Sequence, residues 1–243
     1  MHPGHPPAQG TSPRPTFRFS GDCGLLVELG TVIDLGLNQL TRDLATRVKE
    51  RTVSGVLDVV AAYASFLIVY DPEQITPGQL QTTVLECWGQ TDPDQKETGK
   101  TVDIPVCYSE TFGPDLPTVA GYNNLSREDV VRLHTAGLYP IYMIGFAPGF
   151  PYLGGLDPKL HTPRMDTPRT RVEAGSVGIA NNQTGIYPIS SPGGWQIIGR
   201  TPLRLFTPEH ADPVPLYHPG DRLRFYPISE ETFHRMAREQ DHA

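Results

Sequence analysis

The stretch GFAPGFPYLGG, residues 145 to 155, sets Gly145, Gly149, Gly154 and Gly155 around Pro148 and Pro151, with Phe146, Phe150 and Tyr152 threaded between them. Glycine allows backbone angles and close approaches that a side chain blocks, whereas proline fixes φ and removes a donor. Neither a regular helix nor a central strand tolerates that mixture, so the segment is a shaped loop presenting aromatic surface. On both sides of it the chain breaks into short apolar runs, IYMIGF, SVGIA, WQIIG, LRLF and DRLRFYPI, separated by Gly, Pro, Asn and Ser. Short strands with frequent turn signals predict a sandwich or barrel.

Further upstream, VDIPVCY opens this mainly-β region, which we bound at 101–229. Helix is scarce in it. Ser126 with Asp129 three residues on predicts a capped helix carrying Val130, Leu133 and His134 and ending at Gly137. The polar segment 91–100 is a linker, and 16–90 reads differently. There FRFS and LLVEL form a hairpin about Gly21–Gly24, and Leu37, Leu40, Leu44 and Val48 recur at helical spacing. VLDVVAAY and SFLIVYD are two more strands, followed by a helix with Thr76 as N-cap, Pro77 as first residue and Gln79 closing a capping box. Its core stripe is Leu80, Val84 and Cys87 or Trp88. The order ββαββα is a small α+β domain with both helices on one face. Residues 1–15, rich in proline, read as a disordered tail, and 230–243 as a C-terminal tail compatible with a helix.

Composition excludes several classes of function. A hydrophobic fraction of 38% and a charged fraction of 19% describe a soluble globular protein without a membrane span. A formal charge of -7 disfavours nucleic acid as a partner. Cys23, Cys87 and Cys107 are odd in number and widely spaced, which argues against a disulfide framework or metal site and for the reducing cytoplasm. Gly99-Lys100-Thr101 resembles the end of a phosphate-binding loop, but Asp94 stands where the motif needs glycine.

Two clusters carry candidate chemistry. In TPRMDTPRTRVEAGSVG, residues 162–178, Arg164, Arg169 and Arg171 offer forked donors suited to carboxylate or phosphate, or else form a solvated face with Asp166 and Glu173. In NNQTGIYPISSPGGWQIIGRTPLRLF, residues 181–206, Gln183 supplies amide donors and acceptors while Tyr187 and Trp195 supply flat apolar surface, a mixture suited to a small polar ligand. The alternative is a set of turns. His134 is a proton-transfer candidate or a satisfied helix-end histidine, and Asp157 a base or an ordinary turn residue.

GFAPGFPYLGGLDP, TPRTRVEAGSVGIANNQTGIYPISSPGGWQIIGRTPLRLF and the IPVCY…FGPDL segment together resemble the family of 5-oxoprolinase B subunits, also called allophanate hydrolase subunit 1 or the sporulation-kinase inhibitor family. The resemblance implies a ferredoxin-like N-terminal domain followed by a cyclophilin-like β-barrel. It implies work with the A and C subunits of 5-oxoprolinase to open 5-oxoproline to glutamate with hydrolysis of ATP and its Mg, at a site that partners share. Under it, Arg169 and Arg171 hold a carboxylate or phosphate, and His134 is the weaker candidate for proton transfer. Gln183 bonds the lactam amide, and Phe150, Tyr152, Tyr187 and Trp195 line a dry pocket. Asn181-Asn182 replace the small residues the family leads one to expect, altering the pocket rim. Two other functions follow from the family's names: inhibition of a sensor histidine kinase, and action on allophanate or urea derivatives.

Overall fold

A computed structural model describes residues 14–90, 99–206 and 216–241. The tail expected at 1–15 and the linker expected at 91–100 lie mostly outside these residues. The chain divides into two compact units, Met1–Lys96 and Glu97–Ala243.

In the first unit, β1 (Thr16–Phe19), β2 (Gly24–Glu28), β3 (Val56–Ala61) and β4 (Ser65–Tyr70) form an antiparallel sheet in the order β1-β2-β4-β3. The intervening helices are α1 (Leu35–Glu50) and α2 (Pro77–Trp88). Alternation decides which face is covered. Leu25, Val27, Phe66, Ile68 and Tyr70 are buried with Leu44 and Val48 of α1 and Leu80, Val84 and Cys87 of α2. Thr76 and Gln79 make the reciprocal capping box, satisfying donors that a helix start otherwise leaves bare. Because β4 lies between β2 and β3 and opposes both, β2 and β3 run parallel across it, linked by α1.

The second unit holds β5 (Thr101–Val106), α3 (Leu116–Tyr122), α4 (Arg127–Ala136), β6 (Tyr139–Ile144), β7 (Pro151–Leu153) and a single 3₁₀ turn, Pro158–Leu160. Then follow β8 (Arg169–Val172), β9 (Ser176–Ala180), β10 (Gln183–Ile186), β11 (Ser191–Gly193), β12 (Gln196–Arg200), β13 (Arg222–Pro227) and α5 (Glu230–Asp241). The strands make three sheets, β10-β9-β12, β11-β8 and β5-β13-β6-β7. Strand dominance agrees with the expectation of a mainly-β unit. Closure does not: among the described residues no sheet returns to its own first strand, so the expected barrel is a set of short sheets around shared cores.

Two local readings change. LRLF is not a strand, because Pro202 precedes it and the Leu203 N–H is turned onto Thr201 Oγ1, while Leu205 fills the core from an irregular segment. Helix α3 has no counterpart among the expected elements. It is short, carries Gly121 and has no side-chain cap. Its apolar residues Leu116, Val119 and Ala120 gain their stability from the core they enter.

Candidate active site

The opening stretch turns out to be the connection of the β6–β7 hairpin, in which Ile144 faces Pro151 and Met143 faces Tyr152. Proline is tolerated in β7 because that strand is the sheet's edge. Within the loop, Gly145 N–H donates to Phe150 O at 3.1 Å, Ala147 N–H to Gly145 O at 2.8 Å and Phe150 N–H to Ala147 O at 3.0 Å. Tyr217 Oη then donates to Gly149 O at 2.9 Å, fastening the loop to the core. Phe146 adopts φ 65, a left-handed conformation costly for an aromatic residue, and its ring is 69% exposed.

This fixed loop directs Phe150 inward. Phe150 meets Tyr152, Tyr187 and Trp195 edge-on, with ring centroids 5.2, 5.7 and 5.6 Å apart. Such T-shaped contacts suit the ring quadrupoles. These four rings, with exposed Phe146 and Arg164, line a cleft of about 340 Å³, whose remaining wall is Pro168 and the Pro192–Gly194 turn. That volume lies within the range of small-ligand sites.

Glycine is required at one wall. A Cβ on Gly193 would stand 2.3 Å from Tyr187 Oη, so only a bare backbone lets the tyrosine lie across the turn. The phenol accepts the Trp195 backbone N–H, and burial pushes its pKa up despite that bond and the positive charge of Arg164 and Arg169. The turn is also stitched to 163–169: Met165 N–H donates to Gly194 O at 2.8 Å and Gln196 Nε2 to Pro163 O at 3.1 Å.

Of the candidates named from the sequence, the structure gathers Phe150, Tyr152, Tyr187 and Trp195 on one cleft with Arg164 and places the others elsewhere. Arg169 Nη2 binds Asp115 Oδ1 at 2.7 Å, and Asp115 Oδ2 accepts the Ile197 N–H at 2.6 Å. That pair joins the start of α3 to β8 and β12 rather than facing the cleft. Arg171 lies bidentate on Glu173 at 2.7 and 3.3 Å. Both arginines line a separate, smaller hollow of about 180 Å³. Gln183 begins β10 and is not among the residues lining the cleft. Asn181, at φ 53, and Asn182 are the two-residue turn between β9 and β10, so they shape a hairpin and not the rim. Asp157 accepts the Lys159 N–H and caps the 3₁₀ turn.

His134 is the largest departure. It is fully buried in α4, stacked on Phe225 of β13 at a centroid distance of 4.5 Å. Its Nδ1 lies 2.8 Å from Tyr108 Oη and its Nε2 2.9 Å from Thr184 Oγ1. Since the Thr184 hydroxyl donates onward to Gly178 O at 3.1 Å, it accepts from Nε2–H, leaving Nδ1 to accept from Tyr108. The network therefore specifies one neutral tautomer. Burial pulls the His134 pKa down to about 3, so the ring has neither charge nor access for proton exchange with the cleft near neutral pH.

The described residues do not fit ATP with Mg by themselves. Lys100 N–H donates to Asp221 Oδ1 and the chain enters a strand, not a helix. The N-termini of α2 and α4 are occupied by their own capping side chains. Among the described residues no group of three His, Cys, Asp or Glu is placed to hold a metal ion. Among the described residues no helix is long and apolar enough to cross a membrane.

Comparison with known proteins gives this chain a family. Residues 15–216 match the family described as carboxyltransferase domain, subdomain C and D. The chain belongs to that family. It is 40% identical over 231 residues to the B subunit of 5-oxoprolinase from Bacillus subtilis (strain 168), covering 91% of this chain and 96% of that one. To the corresponding B subunit of Escherichia coli O157:H7 it is 37% identical over 211 residues, covering 86% and 94%. These matches establish the relationship that the glycine- and proline-rich motifs pointed to. A urea amidolyase of Lachancea kluyveri is 30% identical over 264 residues, which are 95% of this chain and only 14% of the amidolyase. The solved structure of TTHA0988 superposes with a TM-score of 0.74 at 36% identity, over 85% of this chain and 39% of that one. The chain therefore spans about two fifths of that solved chain's length.

Proposed function

We propose that this chain is the B subunit of an ATP-dependent 5-oxoprolinase, and that the aromatic cleft holds the lactam ring of 5-oxoproline while the A and C subunits complete the catalytic site. The observation that carries this reading is the convergence of Phe150, Tyr152, Tyr187 and Trp195 on one cleft of about 340 Å³. The kinship with 5-oxoprolinase B subunits supplies the reaction. We read the first unit as a ferredoxin-like module whose last strand has moved to the front as β1, and the second as an open relative of the cyclophilin-like barrel.

The chemistry accounts for a divided enzyme. A five-membered lactam is an unstrained amide, and the adjacent carboxylate repels a nucleophile, so ring opening is coupled to ATP, which activates the amide oxygen. Nothing among the described residues cradles a phosphate chain, and we assign the ATP-using groups to partner subunits. This chain's part is to bind, orient and dry the ring: edge and face contacts fix its plane, and exclusion of water strengthens every charge interaction inside. Arg169 acts on the site by holding the backbone that carries Trp195, and His134 by holding the core beneath.

The test is ATP-dependent glutamate formation from 5-oxoproline by purified A and C subunits, with and without this chain. Strict dependence on the chain, and loss of most kcat/KM on Trp195→Ala in the assembled complex, are expected. A verified three-subunit assembly that forms no glutamate refutes the assignment. The urea amidolyase relative favours a second reading, in which the cleft accepts a planar urea derivative, and turnover of allophanate in the same assay would select it.

A further inference from the structure

Three arginines lie within eight residues of the 162–178 segment, and the fold treats them unequally. Arg169 is neutralised by Asp115 and Arg171 by Glu173. Arg164 is not neutralised: among the described residues it makes no hydrogen bond and no ion pair, and it lines the aromatic cleft. No Asp or Glu lines that cleft with it. The result is one exposed positive charge at a cleft walled by aromatic rings.

Its backbone is anchored on both sides. Pro163 O receives the Gln196 amide at 3.1 Å, and Met165 N–H is bound to Gly194 O at 2.8 Å. Both anchors attach to the strand and turn that carry Trp195, so the base of the Arg164 side chain is positioned relative to the ring wall. Arg164 and Tyr187 line the same cleft. A planar guanidinium matches a carboxylate with two parallel hydrogen bonds.

We propose that Arg164 is the specificity residue that binds the ring's carboxylate, so that the cleft selects cyclic amides bearing an acid group over neutral amides of the same shape. This rests on the reading of the cleft as the 5-oxoproline site. It reassigns the anion contact within the arginine cluster from Arg169 and Arg171 to the one member without a carboxylate of its own.

Binding to the full chain tests it, followed through the Trp195 indole N–H signal in NMR spectra, with the Trp88 indole as internal reference. The probes are 5-oxoproline and the neutral lactam 2-pyrrolidinone. A charged hydrogen bond is worth about 1.5–3 kcal/mol, so 5-oxoproline binds about tenfold or more tighter than the neutral lactam, and Arg164→Gln abolishes that preference. Arg164→Lys restores part of it. If the wild-type chain binds both probes and Arg164→Gln keeps the preference, the assignment of Arg164 is overturned while the cleft stands. If the wild-type chain binds neither probe, the reading of the cleft falls and this proposal with it.

Discussion

Acidification provides a stringent test of the role given to His134. The imidazole is held neutral by burial and by two hydrogen bonds that specify its tautomer, with its pKa drawn down to about 3, whereas in the unfolded chain it titrates at its ordinary value of 6.5. The folded pKa is the depressed one, so between these values the unfolded chain binds the extra proton and stability rises with pH. The contribution is intact above pH 6.5 and is lost as pH falls toward 3. Linkage puts the loss between pH 6 and pH 4 at about 2–3 kcal/mol, the integral of a slope approaching 1.4 kcal/mol per pH unit. Carboxylates protonate over part of the same range, so the informative quantity is the difference between wild type and His134→Gln. The variant is less stable at pH 7, having lost stacking and a buried bond, but its stability falls less between pH 6 and pH 4 by that same amount. Urea unfolding read by Trp195 fluorescence in a Trp88→Phe background confines the measurement to the second unit. Parallel pH curves for the two proteins would refute the argument. The same variant, assembled with the A and C subunits, keeps the shape of the pH-rate profile, since no proton leaves His134 during the reaction.

Gly193→Ala places a methyl group 2.3 Å from Tyr187 Oη and forces the ring out of its position. We expect weaker ligand binding with a cost in stability of about 1–3 kcal/mol, as for other overpacked sites, and unchanged affinity would show that Tyr187 does not form the wall. Arg169→Met removes one partner of a pair whose side chains are 29% and 11% exposed, leaving Asp115 uncompensated. About 2 kcal/mol or more of stability goes with it, and Asp115→Asn in the Arg169→Met background restores part of that loss in thermal unfolding. If Arg169 instead contacted substrate directly, the double variant would recover stability without the partial recovery of affinity expected here.

The parts of the fold that the sequence announces are those whose causes lie within a few residues. The Thr76–Gln79 and Ser126–Asp129 capping boxes join partners three positions apart, and each starts a helix at the position its spacing predicts. Alternation in SFLIVYD places Phe66, Ile68 and Tyr70 on the covered face without knowledge of what covers them. Helix α3 escapes such reading because its stabilisation is almost wholly tertiary. The strands β5 and β13 were legible as the runs VDIPVCY and DRLRFYPI, but their parallel pairing from opposite ends of the second unit was not, and there Arg224 Nε binds Asp103 Oδ1 at 2.6 Å.

For the site, residue types were enough to pick out the aromatic wall, since Phe, Tyr and Trp set among glycines and prolines signal a preformed apolar surface wherever the chain leads them. Composition of the segment also showed that an anion contact was available among Arg164, Arg169 and Arg171. Which arginine is free for it was a matter for the tertiary structure. Charge is neutralised by whatever carboxylate folding brings alongside, and for Arg169 that is Asp115, 54 residues away. His134 follows the same logic: its sequence neighbours mark a helix end, but Tyr108, Thr184 and Phe225 enclose it and make it a neutral member of the core. Local pattern fixes which chemistry a side chain carries, and long-range packing decides whether that chemistry is spent inside the protein or left facing a ligand.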